Sequence, residues 1–136
     1  MILLSPHVTL HEGVRSTTAT RKGIDNTPSD KVIEKMKTTA QMIYEPIRVQ
    51  FGPVFISSFY RSAKLNRSIG GSTHSQHCKG EAIDLDRDVY GEVTHRQLYD
   101  WVRANMEYDQ LIFEISSWVH ISYRAGSNRM MAFEMA

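Results

Sequence analysis

The densest run of residues able to bind a metal or move a proton is His74-Ser75-Gln76-His77-Cys78-Lys79-Gly80-Glu81-Ala82-Ile83-Asp84, and a further imidazole, His120, stands inside an otherwise apolar stretch. Two histidines and one carboxylate drawn from these make a three-ligand set. Catalytic zinc takes three N or O ligands and keeps its fourth position open, whereas structural zinc is closed by four ligands that usually include several cysteines. Cys78 is the only cysteine, so a cysteine-rich structural site is excluded, and so is an intramolecular disulfide.

Such a set needs elements to hold it. Thr27-Pro28-Ser29-Asp30 predicts a helix start, with Thr27 as N-cap, Pro28 in the first helical position and an acid in the first turn. Ile33, Met36, Ala40, Ile43 and Ile47 then recur at three- and four-residue steps as a core-facing stripe, Pro46 should kink the last turns, and Gly52-Pro53 ends the element. Val54 to Ser58 reads as a short buried strand, Arg61 to Ile69 as a loop with one helical turn, and Ala82 to Leu85 as a second strand. Thr94-His95-Arg96-Gln97 matches a capping box that opens a second helix ending near Tyr108. Gln110 to Glu114 and Trp118 to Tyr123 are β-rich and separated by Ile115-Ser116-Ser117, a spacing suited to a hairpin, and a last strand is expected over Arg129 to Phe133. The fold class expected is α+β, a small antiparallel sheet with flanking helices.

The 136 residues fit one domain, spanning 1–136, and at this size folding buries roughly two thirds of the extended-chain surface. With 41% hydrophobic and 23% charged residues, composition is that of a globular protein able to build a core without staples. A formal charge of +1, with the 16 Lys and Arg forming no long run, argues against nucleic acid as a partner. Met1 to Pro6 shows neither a basic n-region nor an apolar stretch long enough for a signal peptide or a membrane span. Synthesis in the cytoplasm, no membrane partner and a monomer are the expectations.

Ser75-x-His77-x-x-Gly80-x-Ala82-x-Asp84 followed by Trp118-x-His120 resembles the zinc D-alanyl-D-alanine carboxypeptidase and L-alanyl-D-glutamate endopeptidase family, of the Hedgehog/DD-peptidase fold. The likeness extends from Leu4-Ser5-Pro6-His7 and Gly23-Ile24-Asp25-Asn26 through Tyr60-Arg61-Ser62 and Gly70-Gly71 to Asp109-Gln110-Leu111-Ile112. It is nearest to small single-domain members from phages and prophages. The resemblance implies Zn²⁺ held by His77, Asp84 and His120, and a substrate that is the stem peptide of peptidoglycan, cut by carboxypeptidase or endolysin-type endopeptidase action. It also implies work on the cell wall after release through a separate pore. An arginine that holds substrate carboxylate or orients the scissile carbonyl falls on Arg61, with an ordinary surface arginine as the alternative.

The family needs an acid to take a proton from water and pass it to the leaving amine. Many members carry it three residues before the last histidine, where this chain has Ser117. If Ile115-Ser116-Ser117 is the hairpin loop, Glu114 faces Trp118 and Ile112 faces His120, so Glu114 and His120 share a face with Cβ atoms roughly 7 Å apart. Glu114 is therefore the candidate base; a solvated glutamate at a hairpin end is the bland alternative, and Asp109 and Glu81 stand in reserve. Ser75 is expected to hydrogen-bond substrate or the motif backbone, or merely to form a turn. Cys78, next to a ligand on an extended segment, should point away as a small buried hydrophobe. His74 is expected to be exposed in its loop. A zinc-binding module of the same fold without catalysis, and an interaction domain with core histidines and no metal, are the rival functions.

Overall fold

The alternation of apolar and polar residues in the C-terminal half is what builds the platform for the site. The computed structural model describes residues 1–86, 94–115 and 118–135. Five strands form one sheet: β3 (Phe55–Ser58), β4 (Ala82–Asp86), β5 (Gln110–Glu114), β6 (Trp118–Ser122) and β7 (Met131–Met135), in the order β3-β4-β6-β5-β7. A separate two-stranded sheet joins β1 (Leu3–Ser5) to β2 (Val8–Thr9). The α+β expectation holds, with one refinement: β3, β4, β6 and β5 pair antiparallel, but β7 lies parallel to β5. The last strand also starts two residues later than expected, at Met131.

Register decides which side chains can meet, because a slip of one residue moves every side chain to the other face. Asp84 on β4 stands opposite His120 on β6, and His120 stands opposite Ile112 on β5. Glu114 pairs with Trp118, as the hairpin argument requires; Ser116 and Ser117 of the expected loop lie outside the described residues. The alternate residues Ile83, Leu85, Leu111, Val119 and Ile121 are fully buried. Against this other face packs α6 (His95–Asn105), with Tyr99 edge-on to Phe113 at 5.7 Å between ring centroids. The capping box expected at its start is present, with the Gln97 N–H donating to Thr94 Oγ1 and the Thr94 N–H to Gln97 Oε1. This helix ends at Asn105, three residues before the expected Tyr108.

The N-terminal half differs more from expectation. Two short helices, α1 (Leu10–Val14) and α2 (Thr17–Lys22), occupy a stretch for which the sequence predicts no element. They are five and six residues long, too short to show helical periodicity, and are set by the caps Thr9 and Ser16. The next helix, α3 (Asp30–Thr39), is capped by Ser29 in place of Thr27. Ser29 Oγ accepts from the Val32 N–H, while the Thr27 N–H is turned onto Asp25. Pro46 does not simply kink the helix that follows. A π-helical stretch, Ala40–Tyr44, separates α3 from α4 (Glu45–Phe51), which places Pro46 in the first turn of α4, where its missing N–H costs no intrahelical bond. Met36, Ala40, Ile43 and Ile47 keep the buried stripe throughout. Arg61 to Ile69 contains a real helix, α5 (Ala63–Ser68).

Candidate metal centre

His77 sits in a 3-10 turn, Gln76–Lys79, that precedes β4. Ser75 caps it, its Oγ accepting the His77 N–H at 3.2 Å. The turn closes on Gly80 in the left-handed region (φ 74°), where a Cβ would lie 2.6 Å from Met36 Cγ and 3.0 Å from the Val32 carbonyl oxygen. Both the backbone angle and the close approach of α3 therefore call for glycine. Thr39 Oγ1 donates to the Gly80 carbonyl, which ties the turn to the same helix.

The segment after β3 fixes the imidazole. The Arg61 N–H donates to the His77 carbonyl, and His77 Nδ1 lies 2.7 Å from the Phe59 carbonyl oxygen. A carbonyl only accepts, so Nδ1 carries a proton and, in the neutral ring, Nε2 presents a lone pair. That Nε2 is 3.2 Å from Asp84 Oδ1, and His120 Nδ1 approaches the same oxygen at 2.8 Å. Asp84 Oδ2 accepts from Arg61 Nη2 at 3.2 Å. The carboxylate thus gives one oxygen to a guanidinium and the other to two imidazoles whose ring centroids are 5.2 Å apart.

A lone pair on Nε2 facing a carboxylate oxygen is repulsive unless a positive charge, a proton on the ring or a metal ion, lies between them. One ligand atom from each of His77, Asp84 and His120 lies within 4.8 Å of the others. Tetrahedral zinc with bonds of about 2.1 Å spaces its ligands roughly 3.4 Å apart, so the group fits that ion. The Phe59 carbonyl and the Arg61 guanidinium act from behind, fixing a ring tautomer and a carboxylate orientation as metal sites commonly require. Asp84 is only 4% exposed, and burial works to raise its pKa. The charges and hydrogen bonds of His77 and His120 outweigh burial and hold the carboxyl far below its usual range.

A model of the family described as Peptidase M15 matches residues 6–122. The chain belongs to the peptidase M15 family. M15 peptidases are zinc-dependent metallopeptidases, and His77, Asp84 and His120 form a group able to hold a metal ion. No curated individual protein matched the chain.

The remaining candidates of this M15 chain divide clearly. Glu114 stands on the face of β5 and β6 that carries His120. Burial raises its carboxyl pKa, the Asp84 charge raises it further and His120 opposes. Its carboxylate makes no hydrogen bond or ion pair among the described residues, so it feels Asp84 and His120 without being tied to either. Asp109 and Glu81, the reserves, are both engaged elsewhere. Asp109 accepts from Arg129 with both oxygens, and Glu81 pairs with Lys35 at 3.7 Å. Arg61 is not a free surface group: Nε donates to Ser58 Oγ and Nη1 to Asn66 Oδ1, in addition to Nη2 on Asp84.

A groove of about 400 Å³ runs beside His120, lined by Ser72, His74, Ser75, Gln110, Ile112 and Arg129 among others. His74 is exposed there, as expected. Cys78 lies in the 3-10 turn in place of the expected extended segment and is half-buried. Burial pushes its thiol pKa up and Arg61 opposes; it is not part of the metal-capable group.

Sequence reasoning missed two asparagines that hold the site together. Asn26 donates to the Val14 and Tyr60 carbonyls and accepts from the Ser62 N–H, pinning both sides of Arg61. Buried Asn66 accepts from Arg61 and donates to the Ser72 carbonyl. Asn26 did fall in the segment that carries the family likeness; Asn66 gave no signal, because an asparagine in a loop ordinarily reads as a turn former.

Proposed function

We propose that this M15 peptidase hydrolyses peptide bonds in the stem peptides of bacterial peptidoglycan, as a D-alanyl-D-alanine carboxypeptidase or an endolysin-type endopeptidase. The observation that carries the reading is the convergence of His77, Asp84 and His120 beside an open groove, with the untethered carboxylate of Glu114 on the same sheet face. His77, Asp84 and His120 are the residues that would hold Zn²⁺. Zinc bound there supplies Lewis-acid polarisation of the scissile carbonyl and lowers the pKa of water.

The chain's own groups do the rest. Glu114 Oε accepts a proton from the attacking water and returns it to the leaving amine. Burial raises its pKa, which makes it a stronger base than an ordinary glutamate and lets it hold the proton until the leaving amine takes it. Arg61 keeps Asp84 oriented through Nη2, and its remaining N–H groups can hold a substrate oxygen. Ser75 sets the His77 backbone through its hydroxyl and borders the groove, so it serves the turn and remains within reach of a bound peptide.

Zinc analysis combined with mass spectrometry of purified peptidoglycan after digestion tests the reading. About one zinc per chain and release of defined peptide fragments or terminal D-alanine are expected. Stoichiometric zinc without any fragment from several wall types would leave a non-catalytic zinc module; no zinc at all would leave an interaction domain.

A further inference from the structure

The groove beside His120 is walled on one side by Arg129, in the connection between β6 and β7. Asp109, just before β5, is 0% exposed and holds this side chain in a two-pronged grip: Arg129 Nε donates to Oδ1 at 2.9 Å and Nη2 to Oδ2 at 2.8 Å, while the Arg129 backbone N–H also donates to Oδ1 at 3.0 Å. A guanidinium has five N–H donors. Two are used on Asp109, and the other three have no partner among the described residues. The Arg129 side chain remains 47% exposed.

The backbone around it is held just as firmly. Met130 adopts φ 55°, a left-handed angle uncommon for a side chain other than glycine. Its N–H donates to the Tyr108 carbonyl and the Met131 N–H to the Asp109 carbonyl. Strained backbone of this kind persists where surrounding contacts over-determine it. Gln76 lines the same groove, and both polar atoms of its amide lack a partner in hydrogen-bond geometry, although the amide stands close enough to Asp109 to help lower its carboxyl. A purely structural ion pair would not need a half-exposed fork with three spare donors on the wall of the groove that reaches His120.

We propose that Arg129, pre-positioned by Asp109, is the residue through which the groove recognises a carboxylate of the substrate peptide. The inference rests on the reading of this groove as the substrate site. A fork already fixed loses little freedom when a carboxylate docks, and its planar geometry suits two parallel hydrogen bonds. The carboxylate could be that of a terminal D-alanine or the free carboxyl of a glutamate in an L-alanyl-D-glutamate unit; both present the same chemistry.

The test is binding of synthetic peptides, by calorimetry, to the zinc-loaded Glu114→Gln protein, which separates recognition from turnover. One pair ends in D-alanyl-D-alanine as the free acid or the C-terminal amide. The other carries L-alanyl-D-glutamate with its free carboxyl intact or amidated. In one pair the acid should bind roughly 10- to 100-fold more tightly than its amide, and which pair responds names the source of the carboxylate. Adding Arg129→Gln should erase that ratio while leaving zinc content and amide binding unchanged; Arg129→Lys should restore little of it. If Arg129→Gln misfolds because Asp109 is left buried and unpaired, combining it with Asp109→Asn removes both charges and reads the same ratio. An acid-to-amide ratio near one in both pairs, failure of all four peptides to bind, or an undiminished ratio without Arg129 overturns the proposal. Tight, carboxylate-dependent binding with no cleavage by the parent enzyme would instead overturn the peptidase reading and leave this one standing.

Discussion

Two buried aspartates, each gripped by an arginine, stand in very different surroundings. Asp84 divides its oxygens, Oδ2 to Arg61 and Oδ1 to the imidazoles of His77 and His120. Asp109 spends both oxygens on Arg129 and is approached by no imidazole among the described residues. Both carboxyls are held below their usual range against the opposing effect of burial, Asp84 chiefly by imidazole and Asp109 chiefly by a hydrogen bond from Arg129. Burial with an arginine therefore does not by itself assemble a metal-capable group. What separates the two is an oxygen left over for two histidines.

The largest effect should come from the carboxylate beside Asp84 that no partner holds. Glu114→Gln keeps size and fold while removing the proton acceptor, so kcat should fall roughly 10²- to 10⁴-fold with zinc retained. An unchanged rate would remove Glu114 as the base. The parent's pH profile carries a linked expectation. Burial raises the Glu114 pKa, a cation on Asp84 offsets only the Asp84 contribution, and the base works deprotonated, so kcat/KM should drop in acid at a pH above the ordinary glutamate range. A limb within or below that range would detach Glu114 from the rate.

Arg61→Ala should act at Asp84 as well as on substrate, because Nη2 holds Oδ2. Zinc affinity should fall about 10- to 100-fold, the scale typical of groups that orient metal ligands. Since the fork also reaches Ser58 and Asn66, Arg61→Lys should rescue little. Zinc titration of the two variants reads this; affinity equal to the parent's would confine Arg61 to substrate or surface.

Asp109→Asn should be the mildest at the metal-capable group, lowering stability and loosening the Arg129 fork while leaving zinc binding alone. Its lowered pKa means that the ionised carboxylate stabilises the fold above the ordinary aspartate pKa, a contribution lost as pH falls through the depressed value. The variant should be about 1–3 kcal/mol less stable at neutral pH, less than for a fully buried pair because Arg129 is half exposed, and the gap should close in acid. Denaturant melts across pH would show this, and a gap independent of pH would assign the loss to packing.

The sheet, its register and the ligand pattern were legible because they rest on local signals: the β-rich runs, the three-residue loop spacing and the Ser75-to-Asp84 motif. That register alone puts Glu114 on the His120 face. The caps and turns were less legible. Thr27, Ser29 and Asp30 all suit a helix start, and Ser29 becomes the cap while the Thr27 N–H is held by Asp25. The short helices α1 and α2 lack periodicity, and the π segment before Pro46 keeps the same apolar stripe as an α-helix would. Least legible were the long-range polar contacts, Arg61 on Asp84, Asn26 across the chain and Asp109 on Arg129, since hydrogen bonds between residues 20 or more apart leave no trace in spacing.

The most direct test of the metal centre is a zinc titration of the parent protein beside Asp84→Asn, followed by native mass spectrometry. Both substitutions at buried aspartates keep side-chain volume, so Asp109→Asn serves as the matched control. The parent and Asp109→Asn should each take up one zinc, and Asp84→Asn should bind it at least about 100-fold more weakly. Equal zinc affinity in all three would contradict the assignment of His77, Asp84 and His120 as the metal centre.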